Sequence, residues 1–249
     1  MTTKGILYYS DSTLPTAMAT TCQRFMAESG LPITSVTLKP VDFGRNIVLD
    51  LPRSYKAMYQ QILTGLESMT EDVVFFGEHD VLYALDHFAF TPPDDQTYCY
   101  NGNYWFLRMS DGLALHYDVA PLSGLVAYRK PLLIHFRERC AYIAKRGFGY
   151  FIGFEPMVRN RVDWSAKFPW AKFQPACPNV DLCHGQNLSK KRWDQRQFIR
   201  KPEFWDVSDI DNVPGWLNLR EIVADFFPIP EGTLPNGYIR TSPQTGKES

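Results

Sequence analysis

The sequence has no excess of charge of either sign: 26 Lys and Arg stand against 27 Asp and Glu, a formal net charge of −1. That balance removes any global electrostatic case for a nucleic-acid or membrane partner, so a basic surface has to be local. Long apolar runs are missing too, and none approaches the length of a membrane span. The opening "MTTKGILYYS" lacks the apolar core and cleavage site of a signal peptide. Cysteine is scarce: Cys22, Cys99, Cys140, Cys177 and Cys183 are odd in number, scattered, and make no CxxC pair. This usage predicts free thiols in a reducing, cytoplasmic compartment. Cys177, Cys183 and His184 fit no common zinc spacing. No internal repeat is visible.

What remains is an ordinary globular composition, 45% hydrophobic and 21% charged over 249 residues, long enough for one large α/β domain or two small ones. "GILYYS" (5–10) reads as a strand, residues 16–29 as a helix ending at Gly30, and "ITSVTLKP" (33–40) as a second strand stopped by Pro40. Residues 41–54 read as a loop. In 54–69, Met58, Ile62 and Leu66 recur one turn apart behind Ser54, the spacing and cap of an amphipathic helix. "DVVFF" supplies the next strand. Later, Leu125–Tyr128 reads as a strand, followed by a helix with Pro131 in its first turn, running to about Lys145 and stopped by "RGFG". This order predicts an α/β fold, a mainly parallel sheet with helices on both faces. The last residues, rich in Pro, Gly and Ser, predict a flexible tail over 229–249 behind a single domain over 1–228.

The continuous apolar run Val73–Phe76 suits a strand covered on both faces, yet it ends in Glu78, His79 and Asp80. Ligands of open α/β sheets bind at such carboxyl ends. Alternation along the chain separates His79 from the two acids and leaves it outside a site. Further on come "SGLVAYRK", "YFIGFEP" and "PNVDLCHGQNLS".

In this order the motifs resemble a GT-A-fold glycosyltransferase of the family-2-like, nucleotide-sugar-dependent kind, over about residues 4–195. The resemblance implies the following roles. Asp80, in the place of an Asp-x-Asp metal motif, and the late His184 hold a divalent cation, Mn²⁺ or Mg²⁺. Glu78, with Glu where that motif has Asp, contacts the donor, as do Ser10 and Asp11 after the first strand, with Arg45 reaching the base or diphosphate. Ser123 and Gly124, with Arg129, match the acceptor-side strand. Glu155 matches the general base, although Pro156 stands where a second acid is usual. Each has a plainer alternative that remains open at this level: a turn-capping acid, a solvated arginine, a surface histidine. The activity implied is transfer of a sugar from a UDP-sugar such as UDP-glucose to an acceptor hydroxyl. The chemistry demands these residue types. A cation offsets charge on the departing diphosphate, and a desolvated carboxylate takes the acceptor proton. One base opposite the leaving group implies inversion.

"SKKRWDQRQFIRKPEFW" (189–205) is the local basic patch. Lys190, Lys191, Arg192, Arg196, Arg200 and Lys201 interleave with Trp193, Phe198 and Trp205, which suits a phosphate-bearing polymer. With a general likeness to phage glycosyltransferases, this points to 5-hydroxymethylpyrimidine DNA as acceptor. Two alternatives stand beside it: a cell-surface glycan acceptor, and a non-enzymatic nucleic-acid-binding accessory protein. Tyr104, Trp105, Trp164 and Trp170 fall in loop-like stretches where they would stack on a sugar or base.

Overall fold

The computed structural model describes residues 2–149, 155–156, 168–188 and 204–228. In chain order the elements are β1 (Lys4–Ser10), α1 (Thr16–Ala27), β2 (Ile33–Thr37), β3 (Arg45–Val48), α2 (Tyr55–Ser68), β4 (Val73–Glu78), β5 (Val81–Leu82), α3 (Leu85–Ala89), β6 (Tyr98–Asn101), β7 (Tyr104–Arg108), β8 (Leu113–His116), a 3₁₀ turn (Leu122–Gly124), β9 (Leu125–Tyr128), α4 (Arg129–Arg146), β10 (Trp170–Phe173), β11 (Asn179–Cys183), β12 (Asp206–Asp209) and α5 (Leu219–Val223).

Seven strands form the large sheet in the order β10-β6-β9-β4-β1-β2-β3. All neighbours pair in parallel except β9, which runs against β4 and β6. The sheet is thus mainly parallel, as the alternation of strands and helices predicts. Its central strands are apolar throughout because both faces are covered. Leu7, Tyr9, Val74 and Phe76 pack with Ile62, Leu66, Leu132 and Phe136 of α2 and α4. Ile6, Tyr8, Val73 and Phe75 pack on the other side with Met26 of α1 and Phe88 of α3. Each buried Phe contributes about 1.5–3 kcal/mol. Ser54 caps α2 by accepting from Ala57 N at 3.1 Å. Gly65 lets that helix close on the sheet, since a Cβ there would stand 2.1 Å from Leu7 Cδ1. Gly147, at φ 76°, ends α4 where the sequence places the stop.

Two expectations are corrected. Residues 41–54 are not all loop: β3 adds to β2 as an edge strand, and Asn46 Nδ2 donates to Thr37 Oγ1 at 2.9 Å. Its residues are half-buried or exposed, so backbone pairing holds it and no apolar pattern announces it. Trp170 opens β10 rather than lying in a loop, and Tyr104 and Trp105 are not in a loop either. They lie buried in β7, part of a second sheet, β12-β8-β7-β11-β5, which covers the same face as α1 and α3. Residues 229–249, Trp164 and most of the basic segment lie outside the described residues. No helix among those described is long and apolar enough to cross a membrane.

Candidate active site

Parallel pairing brings the carboxyl ends of β1, β2 and β4 to one edge of the large sheet. A cavity opens there, lined by Tyr9 and Ser10 of β1 and Asp11 after it, Leu38 after β2, Glu78 of β4 and His79 and Asp80 after it, Leu122 and Ser123 before β9, Asp181 and Cys183 of β11, and Glu155. Gln61 of α2 fastens the edge, its buried Nε2 donating to Ser10 O at 2.6 Å and Val36 O at 2.8 Å.

The chain turns at His79 and Asp80, directly after β4. That turn breaks the alternation of a strand, so His79 joins the site it was expected to avoid. Its Nδ1 stands 2.6 Å from Ser10 Oγ and 3.7 Å from Asp11 Oδ1, and its Nε2 3.9 Å from Asp80 Oδ2. His184, one residue beyond β11, brings Nε2 to 3.3 Å from the same oxygen. A tight loop sets this ring: His184 N donates to Asn187 Oδ1 at 2.8 Å, Gln186 N to His184 Nδ1 at 3.1 Å, and Asn187 Nδ2 to Asp80 Oδ2 at 2.7 Å.

One ligand atom from each of His79, Asp80 and His184 lies within 4.8 Å of the others, the one such cluster among the described residues. A single ion is able to touch all three. Two imidazoles and a carboxylate suit a borderline cation such as Mn²⁺ better than Mg²⁺, which favours oxygen. Gln186 N–H occupies His184 Nδ1, which leaves Nε2 to face Asp80.

The carboxyls of the cavity titrate apart. Burial pushes Asp80 up, but the charge of His79 and the hydrogen bond and charge of His184 outweigh it and hold the group below its ordinary value. Asp11 follows the same pattern, burial being outweighed by His79, Thr13 and Arg53. Glu78 moves the other way. Burial first, then the nearby Asp80 carboxylate, raise it to about 8 against the lowering bond from Tyr9, whose hydroxyl donates to Oε1 at 2.5 Å. Glu78 therefore holds its proton more tightly than Asp80, two residues on.

No family model matches the chain, and no curated protein matches it. Solved structures do. Three of them are glycosyltransferases. One is involved in glycosylation of the major capsid of PBCV-1, with 12% identity, TM-score 0.43, and 72% of this chain covering 93% of that one. A Drosophila galactosyltransferase 7 mutant in complex with manganese, UDP-Gal and xylobiose gives 13% identity, TM-score 0.41 and 80% coverage of each chain. GlyE of Streptococcus pneumoniae gives 14% identity and TM-score 0.34; 59% of this chain spans only 39% of that protein. At such identities and scores none of the three fixes an activity for this chain, and the geometry of the cavity has to carry the reading.

Of the residues singled out in the sequence, the fold brings Ser10, Asp11, Glu78, Asp80, Ser123, Glu155 and His184 together. Arg45 is not with them. It opens β3, which runs parallel to β2, so it lies at the opposite, amino edge of the sheet; its guanidinium donates to Ser68 O at 2.7 Å and Thr34 Oγ1 at 3.2 Å. Gly124 is buried behind Ser123, where a Cβ would stand 3.3 Å from Pro121 and from the Tyr104 ring. Its place is packing, and Ser123 alone of that pair lines the cavity. Arg129 bonds Glu71 O and Leu66 O at the far end of β9. Lys190, Lys191 and Arg192 lie outside the described residues.

Several cavity or rim residues escaped the sequence reading. Asp181 stands between Val180 and Leu182 in β11; an acid flanked on both sides by apolar residues was the available signal. Asn187 carried none. Arg53 donates to Asp11 Oδ2 at 2.5 Å and to Gln186 O, tying the loop before α2 to the loop of His184. Tyr55 adds a second tie, its hydroxyl donating to Leu188 O at 2.9 Å.

Proposed function

We propose that this chain is a metal-dependent glycosyltransferase, moving a sugar from a UDP-sugar to an acceptor hydroxyl with inversion. The observation that carries this reading is one cavity holding both the His79–Asp80–His184 donor set and a separate carboxylate, Glu155. The charge of the wall supports a cation. Asp11, Asp80, Asp181 and Glu155 line it, and no Lys or Arg does among the described residues. A nucleoside diphosphate entering there meets like charge, which a divalent ion offsets.

In this reading Asp80, His79 and His184 hold the ion, which supplies charge stabilisation to the departing diphosphate. Ser10 and Asp11 meet the nucleoside at the carboxyl end of β1. Glu78 contacts the donor at the end of β4. Ser123 faces the acceptor. Glu155 accepts the proton of the acceptor hydroxyl as that oxygen attacks the anomeric carbon, and a single base on one face accounts for inversion.

The acceptor proposal rests on the sequence alone: Lys190, Lys191 and Arg192 among aromatics suit a phosphate polymer, with 5-hydroxymethylpyrimidine DNA as the candidate. The test combines labelled UDP-sugars, Mn²⁺, duplexes with cytosine or 5-hydroxymethylcytosine, and a panel of neutral glycans. Mn²⁺-dependent UDP release is expected, with label on the hydroxymethylated duplex only. Glu155→Gln is expected to lower turnover about 10²–10⁴-fold with donor affinity kept. Label on a glycan instead moves the acceptor class. DNA binding without UDP release from any donor refutes the enzyme and favours the accessory-protein alternative.

A further inference from the structure

Arg139 lies on the inner face of α4 and is 0% exposed. A guanidinium does not lose its proton in a protein, so its burial without an anion nearby is strongly unfavourable. Its Nε donates to His135 Nε2, one turn earlier. That partner supplies no charge: burial, then the guanidinium itself, push the imidazole well below its ordinary value and keep it neutral. Other groups acting on Arg139 include the phenols of Tyr59, Tyr100 and Tyr98 and the carboxylate of Glu155. Burial raises the Tyr59 and Tyr98 phenols, so they too are neutral. Glu155 is the anion of the set. Its main-chain oxygen accepts from Arg139 Nη2 at 3.5 Å, and the same residue lines the cavity.

The helix that carries Arg139 is rigidly seated. Leu132, Phe136 and Ile143 of α4 belong to the core shared with α2 and the large sheet. A side chain rooted there is a fixed point from which a cavity-wall residue is held.

We infer that Arg139 is a positioning residue: from the buried face of α4 it holds Glu155 by its main-chain oxygen and by charge, and so sets where the carboxylate stands in the cavity. The inference rests on Glu155 being the acceptor-activating base. Placement matters at this scale, because an error of about 1 Å in a reacting group costs on the order of 10²-fold in rate. Arg139 is not itself a catalytic residue; it touches no reacting atom.

The test uses Arg139→Lys, which keeps the charge and loses the planar fork, alone and combined with Glu155→Gln. The readouts are UDP release from UDP-glucose and UDP-galactose with Mn²⁺, water being the acceptor, and melting temperature without metal. Arg139→Lys is expected to lower kcat about 10–100-fold with KM for the donor unchanged, and to have no further effect once Glu155 is Gln. Glu155→Gln alone is expected to lower the melting temperature, because it strips the anion from a buried guanidinium. Losses that multiply in the double variant overturn the inference, since a merely structural arginine would act independently of Glu155. An unchanged melting temperature in Glu155→Gln also overturns it. Full turnover by Glu155→Gln refutes the base, and the positioning role falls with it. Lost turnover in that variant with multiplying losses in the double refutes Arg139 alone. If Arg139→Lys fails to fold, or neither donor turns over, the melting temperature of Glu155→Gln decides the pairing: a fall supports it and no change overturns it.

Discussion

Lowering the pH should weaken this fold through His87. The ring is 0% exposed. It sits among Phe75, Tyr83, Phe88 and Phe173, at centroid distances of 5.5, 5.3, 5.0 and 5.7 Å. Nδ1 meets Asn101 Nδ2 at 3.2 Å, while Nε2 is buried without a partner. Burial lowers the group to about 3, whereas the unfolded chain protonates near 6.5. The sign follows from which state binds the proton. Below about pH 6.5 the unfolded chain takes up a proton that the folded one refuses, so stability falls as pH drops, until about pH 3. From pH 7.5 to 5.5 the loss is one proton's linkage over one pH unit, about 1.4 kcal/mol. His135, also buried and lowered, contributes in the same direction. Glu78 contributes with the opposite sign, because its raised folded value means the folded state binds the extra proton between the two values. The wild-type curve therefore mixes terms, and a variant has to separate them. His87→Phe keeps a ring among aromatic neighbours and removes the titration. Urea denaturation of both proteins at pH 7.5 and 5.5, followed by circular dichroism, should show the variant losing about 1.4 kcal/mol less on acidification. Equal losses in the two proteins would mean that the buried imidazole does not govern the acid response.

Asp80→Asn should abolish Mn²⁺-dependent UDP release while the metal-free protein stays folded, and near-normal release would remove Asp80 from the ion site. His184→Ala should weaken Mn²⁺ binding in a calorimetric titration; an unchanged isotherm assigns the ion to other ligands. Gly65→Ala should destabilise the fold by about 1–3 kcal/mol, because the added Cβ meets Leu7 Cδ1 at 2.1 Å, and a neutral result in chemical denaturation would contradict the close packing of α2 on β1.

Much of the frame is written in local pattern. An unbroken apolar run such as Val73–Phe76 is stable only where both faces are covered, so it announces a central strand without reference to its neighbours. Ser54 and Gly147 act within one helical turn, through a backbone amide and a left-handed φ, and both helix ends follow from the chain alone. The placement of Asp80 at the end of β4 is legible for the same reason. Other features depend on which strands become neighbours, and local spacing carries no record of that. Residues 42 apart make the Arg53–Asp11 contact, and residues 104 apart make the His184–Asp80 contact. The edge strand β3 is held by backbone pairing that any side chain permits, so its sequence is silent. His79 enters the site because the chain turns immediately after β4, where the period of two no longer applies. Asp181 reaches the cavity only because β11 joins a second sheet beside β5 and β7. Period and capping are properties of consecutive residues, whereas a site at the end of a sheet is made by strands distant in sequence, and the tertiary structure alone decides which of their polar ends converge.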